Sequence, residues 1–424
     1  MQSTEFISFC RNTENCFVRN RKMPLSDLLF TMINRKGLTL TLELRNYMKT
    51  FHPGIEISKP GYLKQRMKLN PDAFLDLYHY HNKNFYSEPD YATYHGYLVL
   101  AADGSSINIP TTKETLELFG SSSRKNTKPQ ASLGLACLYD VLNRTIIESD
   151  CNRCKFDEMT VAETQIDRLS NTIGTKQPFI VIMDRGYPST PAFIRMLDKN
   201  ISFLVRLKSS DYKKEQESLE CADKWIDIAL DKSRIRHYEG TEVAERMRKM
   251  GKLHLRMVKI CLADDNYEVL LTNLPTEEFS TEQLSELYHM RWGIETAYET
   301  LKSRLQMENF TGTKVPLILQ DIYSTIYVSN LSEDIILDVQ RELDQKDKKY
   351  KHKMEINQTV SIGILKNDLI YILLETDREK KNQLFQQLYD DISQNLVPIR
   401  PNRHYHRTKG QLAGKYSNTH KRAY

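Results

Sequence analysis

Apolar positions over residues 1–95 recur at helical spacing. PLSDLLFTMINRKG carries them on one face and ends in a glycine able to stop a helix. LTLTLELRNYMKTF continues as a second helix, and ISKPGYLKQRMKLNPDAFLDLYHYHNKNF reads as a turn, a basic helix and another helix. Then the pattern changes. GYLVLAADGSSINIP is a short apolar run meeting an Asp-Gly turn at Asp103, and ASLGLACLYDVL and RTIIESD read as two strands joined at Asn143. DEMTVAETQIDRLSNTI is helical, and PFIVIMDRGYPS is a buried strand that ends in Asp184 and a turn glycine. A short helix, PAFIRMLDKN, and a further strand, ISFLVRL, follow. Strands succeeded by alternating helix and strand predict a mixed α/β sheet.

Residues 208–278 break that rhythm. LHLRMVKICLAD and NYEVLLTNL read as strands, with Arg234, Arg236, Arg246, Arg248, Lys249, Lys252, Arg256 and Lys259 around them, so the segment reads as a β-rich insertion. Beyond residue 280 the chain is helical again, first in STEQLSELYHMRWGIETAYETLKSRL and then, after Pro316, in a second long helix. The expected organisation is a helical N-terminal region over 1–95 and an α/β core that begins over 96–207. The insertion 208–278 follows, then a long helix and the end of the core over 279–340. A helical C-terminal region with a basic tail covers 341–424.

The 424 residues, 40% of them hydrophobic, suffice for more than one core. A net charge of +5, from 60 Lys plus Arg against 55 Asp plus Glu, does not by itself establish nucleic-acid binding; its distribution matters more. Residues 397–424 hold seven Lys or Arg and no acid, a composition suited to phosphate contact. Lys59, Lys64, Arg66 and Lys68 mark the basic helix, which reads equally as a DNA-binding surface or a solvated face. No long apolar run predicts a membrane span, and no signal-like start is visible, so a prokaryotic cytoplasmic, nucleoid-associated location is expected. Cys151 and Cys154 form a C-x-x-C without a second pair of ligands, which favours loop cysteines over a zinc site. There is no P-loop, so no nucleoside triphosphate is expected, and no nucleophile elbow of an α/β hydrolase.

The helix around residue 290 carries the candidate chemistry. With Tyr288 set at 0° and about 100° per residue, Arg291 falls near 300°, Glu295 near 340° and Lys302 near 320°. These four share one ridge, beside a buried stripe of Leu287, Met290, Ile294, Ala297, Leu301 and Leu305. Such a ridge is by itself compatible with a surface row of ion pairs. Asp103 and Asp184, each at the end of an apolar strand, change that reading, because strand ends in α/β sheets are where ligands bind. Two aspartates and a glutamate offer the hard oxygen ligands that suit Mg2+. A pair of ions so held would activate a water or a DNA 3′-hydroxyl and stabilise the leaving oxygen, while Arg291 and Lys302 clamp phosphate oxygens. Trp292, near 40° on the same side, is a candidate for stacking on an unpaired base; Trp225 is its rival, and either also reads as a packing residue. Tyr187 is expected to pack beneath the site.

The spacing Tyr288-x2-Arg291-x3-Glu295-x6-Lys302 resembles the Tyr-Arg-Glu-Lys signature of DDE transposases of the insertion-sequence-four type. AADGSSINIP resembles that family's first-Asp segment and VIMDRGYPS its second, in the family order. The resemblance implies a ribonuclease-H-like catalytic core with Asp103 on the first strand, Asp184 on the fourth, and Glu295 on a helix after an inserted β-rich segment. It implies strand cleavage and transfer with Mg2+, or Mn2+ in its place, held as two ions by Asp103, Asp184 and Glu295. Tyr288, Arg291, Lys302 and Trp292 would contact DNA. It further implies double-stranded DNA, both transposon ends and target, as partner and a homodimer in the synaptic complex. A domesticated DNA-binding protein of the same fold lacks need of the three acids, and a metal-dependent nuclease lacks the joining step; both remain alternatives.

Overall fold

The computed structural model describes residues 3–19, 22–122, 128–174, 176–219, 222–261, 267–346 and 350–400. The greater part of the basic tail, residues 401–424, lies outside them. The chain divides into two compact units: one of 1–81, 108–132 and 298–424, the other of 82–107 and 133–297.

The second unit is built on an eight-stranded sheet. Its strands are β1 (Leu98–Asn108), β2 (Ser132–Asp140), β3 (Thr145–Arg153), β4 (Phe179–Met183), β5 (Ser202–Leu207), β6 (Asp223–Ala229), β7 (Lys252–Cys261) and β8 (Tyr267–Thr272). They lie in the order β3-β2-β1-β4-β5-β8-β7-β6. β1, β4 and β5 are mutually parallel neighbours, β2 and β3 form an antiparallel hairpin, and β5, β8, β7 and β6 pair antiparallel. The sheet is therefore mixed, as the alternation of elements predicts. Parallel strands covered on both faces read as continuous apolar runs. Ile180, Val181, Ile182 and Met183 of β4 accordingly have no exposed surface. Tyr86, Met159, Phe193, Phe203, Leu255 and Leu271 join one core around these strands.

Two sequence expectations change here. The Asp-Gly pair at 103–104 makes no turn, because β1 runs straight through it to Asn108. Residues 208–278 hold helices between their strands, and those strands prolong the main sheet through the β5–β8 pairing. One of them, β6, carries Trp225 and does not show in the apolar pattern, since only Ile228 of its residues is buried.

The other unit is helical. Its helices include Leu25–Ile33, Leu40–Phe51 and Lys59–Arg66 near the N-terminus and Val315–Gln345, Gln358–Leu374 and Arg378–Ser393 near the C-terminus. A two-stranded ribbon pairs β9 (Met354–Ile356) with β10 (Leu396–Pro398). Arg66 holds N- and C-terminal segments together. Its guanidinium is fully buried, 2.9 Å from Asp321, and donates to Gln320 at 3.0 Å and to the Leu317 carbonyl at 3.0 Å. Of the basic-helix cations, Lys59 and Lys64 are exposed, Lys68 is half-buried, and Arg66 is a core residue.

Candidate active site

Ala102 of β1 pairs in register with Met183 of β4, so the residues that follow, Asp103 and Asp184, emerge side by side on adjacent parallel strands. Asp103 stays within its strand and accepts a bond from the Gly104 amide at 2.8 Å. Asp184 ends its strand in a turn, taking the Gly186 amide at 2.6 Å on its side chain and the Tyr187 amide at 3.2 Å on its carbonyl. Burial pushes the Asp103 carboxyl up to about 6; the Gly104 amide and Arg291 pull it back, and Asp184 and Glu158 push it further up. Tyr187 is buried under the aspartates, as expected, and its hydroxyl is raised well above the usual range by burial and by Glu158, Asp103 and Asp184.

The helical segment after residue 280 is not one straight helix. Thr281–His289 ends, the chain turns at Met290 and Arg291, and Trp292–Glu299 begins. Ser280 caps the first piece through a capping box with Gln283. Of the stripe residues, Leu287, Ile294, Leu301 and Leu305 are buried, and Met290 and Ala297 half-buried. At Gly293 an added methyl group would stand 3.5 Å from both Tyr139 and Val141, ordinary packing distance. The glycine thus marks where the second helix lies against the end of β2.

The break moves Tyr288 from the expected open ridge into the interior, where it is 5% exposed beside Arg291, Arg206 and Glu268; burial raises its hydroxyl. Arg291 is also buried, at 7% exposure. It donates to Glu295 Oε1 at 2.7 Å and lies 3.7 Å from Asp103 Oδ2. Its Nε is buried without an acceptor. Trp292 is 40% exposed with the Arg291 guanidinium 5.4 Å from its ring centre. Trp225 instead stacks on His254 at 5.0 Å and donates to Thr276 at 3.0 Å, which makes it a packing residue of the sheet edge.

Lys302 belongs to the helical unit. It sits in a π-helical turn, Thr300–Arg304, to which the 100° wheel does not extend because the wider ring advances each residue by less. Lys302 is half-buried; burial lowers its ammonium pKa and Glu308 opposes that shift.

A residue the sequence reading passed over joins the aspartates. Glu158, the first residue of the helix Glu158–Arg168, places its carboxylate beside Gly104 and Gly186: a methyl group on Gly104 would stand 2.8 Å from Glu158 Oε1, and one on Gly186 3.9 Å from Oε2. The only sequence signal was an acid at a helix start, which is common on dipole grounds alone. Among the described residues no three His, Cys, Asp or Glu already converge as a metal group: Asp103 and Asp184 are neighbours, and Glu295 is held by Arg291. No helix among them is long and apolar enough to cross a membrane.

Comparison with known proteins gives this arrangement its context. Escherichia coli has a similar protein, the transposase for insertion sequence element IS421, 28% identical over 146 residues, 34% of this chain and 38% of that one. The match thus spans well under two thirds of that relative. Transposase InsG for insertion sequence element IS4, from Escherichia coli strain K12, is 19% identical over 344 residues, 77% of this chain and 73% of its own. Among solved structures, a piggyBac transposase synaptic complex with hairpin DNA aligns with 96% of this chain and 83% of that chain at 12% identity, with a TM-score of 0.47. The family model described as Transposase DDE domain matches residues 94–331, more than half of the chain and all of the segment from β1 through the helix that bears Glu295. This chain belongs to the Transposase DDE domain family.

Proposed function

We propose that the chain is a DDE-type transposase that binds transposon-end inverted repeats and cuts and rejoins DNA with Asp103, Asp184 and Glu295. The observation that carries this reading is the Asp103–Asp184 pair on adjacent parallel strands with Arg291 lying between Asp103 and Glu295. The donor set is carboxylate oxygen throughout, which suits Mg2+ or Mn2+. Burial that leaves Asp103 facing other carboxylates is the electrostatic situation a divalent cation relieves. Asp103, Asp184 and Glu295 would hold two such ions, Glu295 after giving up its bond to Arg291. Bound there, the ions supply activation of a water or 3′-hydroxyl and stabilisation of the leaving oxygen.

The rest of the chemistry belongs to side chains of this chain. Arg291 is held in place by burial and by Glu295, and its guanidinium would donate to a phosphate oxygen once Glu295 turns to a cation. Tyr288, buried beside it, limits where the guanidinium can go. Trp292 offers an exposed face for an unpaired base. Lys302 is assigned to a neighbouring phosphate on its place in the Tyr-Arg-Glu-Lys spacing. Double-stranded DNA is the partner, and a homodimer is the expected form that pairs two transposon ends.

The test is a cleavage and joining assay on the DNA that flanks the gene, run beside a gel-shift assay. Asp103→Ala, Asp184→Ala and Glu295→Ala should each abolish Mg2+-dependent cleavage and joining while leaving end binding intact. Cleavage without joining in the wild type would favour a nuclease, and near-normal cleavage by a variant would remove that residue from the site.

A further inference from the structure

Glu158 has no role in the three-acid reading, yet its environment is not that of an ordinary helix start. An acid in the first turn gains from the helix dipole wherever its side chain points, and solvent is the cheapest direction. Here the carboxylate is half-buried and turned toward Asp184, with one oxygen over Gly104 of β1 and the other toward Gly186 in the turn after β4. No hydrogen bond or ion pair engages it among the described residues. Placing like charges together without a counter-charge is unfavourable.

The surroundings hold it there. Phe156 packs over two glycines: a methyl group on Gly134 would stand 2.5 Å from its ring, and one on Gly104 3.0 Å. Either substitution would displace the loop that leads to Glu158. Asp157 caps the helix through the Met159 amide at 3.2 Å. Further along, Arg168 pairs with Glu148 at 2.9 Å and with Asp150 at 2.6 Å, and Gln165 donates to the Ala136 carbonyl at 3.0 Å, tying the helix to the β2–β3 hairpin. Arg291, 3.7 Å from Asp103, pairs with Glu295 and not with Glu158.

We propose that Glu158 is a fourth carboxylate of the site, an oxygen ligand that holds a divalent cation together with Asp103 and Asp184. This rests on the transposase reading of those two residues and extends it. Asp103, Asp184 and Glu158 do not yet converge as a metal group, so a cation would draw the three carboxylates together, from residues around β1 and β4 alone, while Glu295 stays paired to Arg291. Loading of that site would then precede release of Glu295.

The experiment uses full-length protein without DNA and Mn2+ alone as probe, with binding read by titration calorimetry and by the Mn2+ shift of the melting temperature. Glu158→Gln should weaken Mn2+ binding by about tenfold or more. Without metal it should melt no lower than the wild type, because a like charge has been removed. Glu158→Asp should recover part of the affinity. Asp184→Asn is the reference. If Asp184→Asn loses Mn2+ binding and Glu158→Gln does not, Glu158 is no ligand and the three-acid reading stands. If neither variant changes Mn2+ binding, both proposals fall. If Glu158→Gln melts lower without metal and keeps its full Mn2+ shift, the side chain only starts its helix and the proposal is overturned.

Discussion

Arg291 donates to Glu295 at 2.7 Å, four residues along the chain, and in doing so holds the glutamate's carboxylate to a buried cation. The same guanidinium is 3.7 Å from Asp103. Arg291 therefore has two separable effects: it neutralises carboxylates, and it is a fixed donor for phosphate.

Arg291→Ala should bind Mn2+ at least as tightly as the wild type, because Glu295 and Asp103 lose a competing cation. It should nevertheless cleave a pre-bound transposon end about two to three powers of ten more slowly in single turnover, the usual cost of removing one transition-state donor. Arg291→Lys should also be slow, since a point charge replaces a planar fork. Lys302→Ala should slow cleavage comparably with Mn2+ affinity unchanged. Normal cleavage by Arg291→Ala would reduce the residue to a restraint on Glu295.

The raised Asp103 carboxyl makes a prediction about pH. Its folded value of about 6 exceeds the ordinary 3.8, so the folded state binds the proton more tightly than the unfolded chain. That contribution to stability is complete below the unfolded value and is lost as pH rises through about 6. In metal-free buffer, the wild type should lose roughly 1–3 kcal/mol relative to Asp103→Asn between about pH 4 and pH 7. Denaturant unfolding of both proteins across that range measures it, and parallel curves would contradict it.

Arg66 looks like a DNA-contacting residue in the sequence and is a core residue in the fold. It pairs with Asp321, whose carboxyl burial would raise but Arg66 and Arg35 hold below the usual range. Arg66→Ala leaves Asp321 with less compensation and should destabilise the helical unit by about 3–5 kcal/mol. Thermal melting would register this loss. A variant of wild-type stability with weakened DNA affinity would restore the surface reading.

Most of the insertion's cations are already engaged. Arg234 pairs with Glu215, Arg246 with Asp198, Arg248 with Glu239, Lys252 with Asp227 and Arg256 with Asp223, and Lys259 stands 4.0 Å over the Tyr267 ring. Replacing Arg246, Arg248 and Lys252 together by Gln should change the slope of log affinity against log salt by less than the 0.9 or so of one phosphate contact. Deleting residues 401–424 should change it by more. A large change from the triple variant would mean that DNA displaces these intramolecular partners.

The sequence by itself determined the class of the sheet, the two apolar strands that carry Asp103 and lead into Asp184, and the helical segment that carries Glu295. Those features are local: runs of apolar residues, a turn glycine after Asp184 and a periodic stripe of leucines are set by neighbours within a few residues. The fate of each polar side chain was decided only by tertiary contacts. Arg66 lies on a helix whose cations read as a surface, and Arg256 among the basic residues of the insertion, yet each is buried because a distant acid, Asp321 or Asp223, meets it in the fold. β1 passes through Asp103 and Gly104 because neighbouring strands hold it extended, although the dipeptide favours a turn on its own. The turn at Met290 and Arg291 takes Tyr288 off the wheel drawn for a single helix and buries it. Glu158 could not be found from spacing, since it stands 55 residues from Asp103 and 26 from Asp184. The β2–β3 hairpin and the packing of Phe156 on Gly104 and Gly134 bring its helix back to the strand ends, and that convergence exists only in three dimensions.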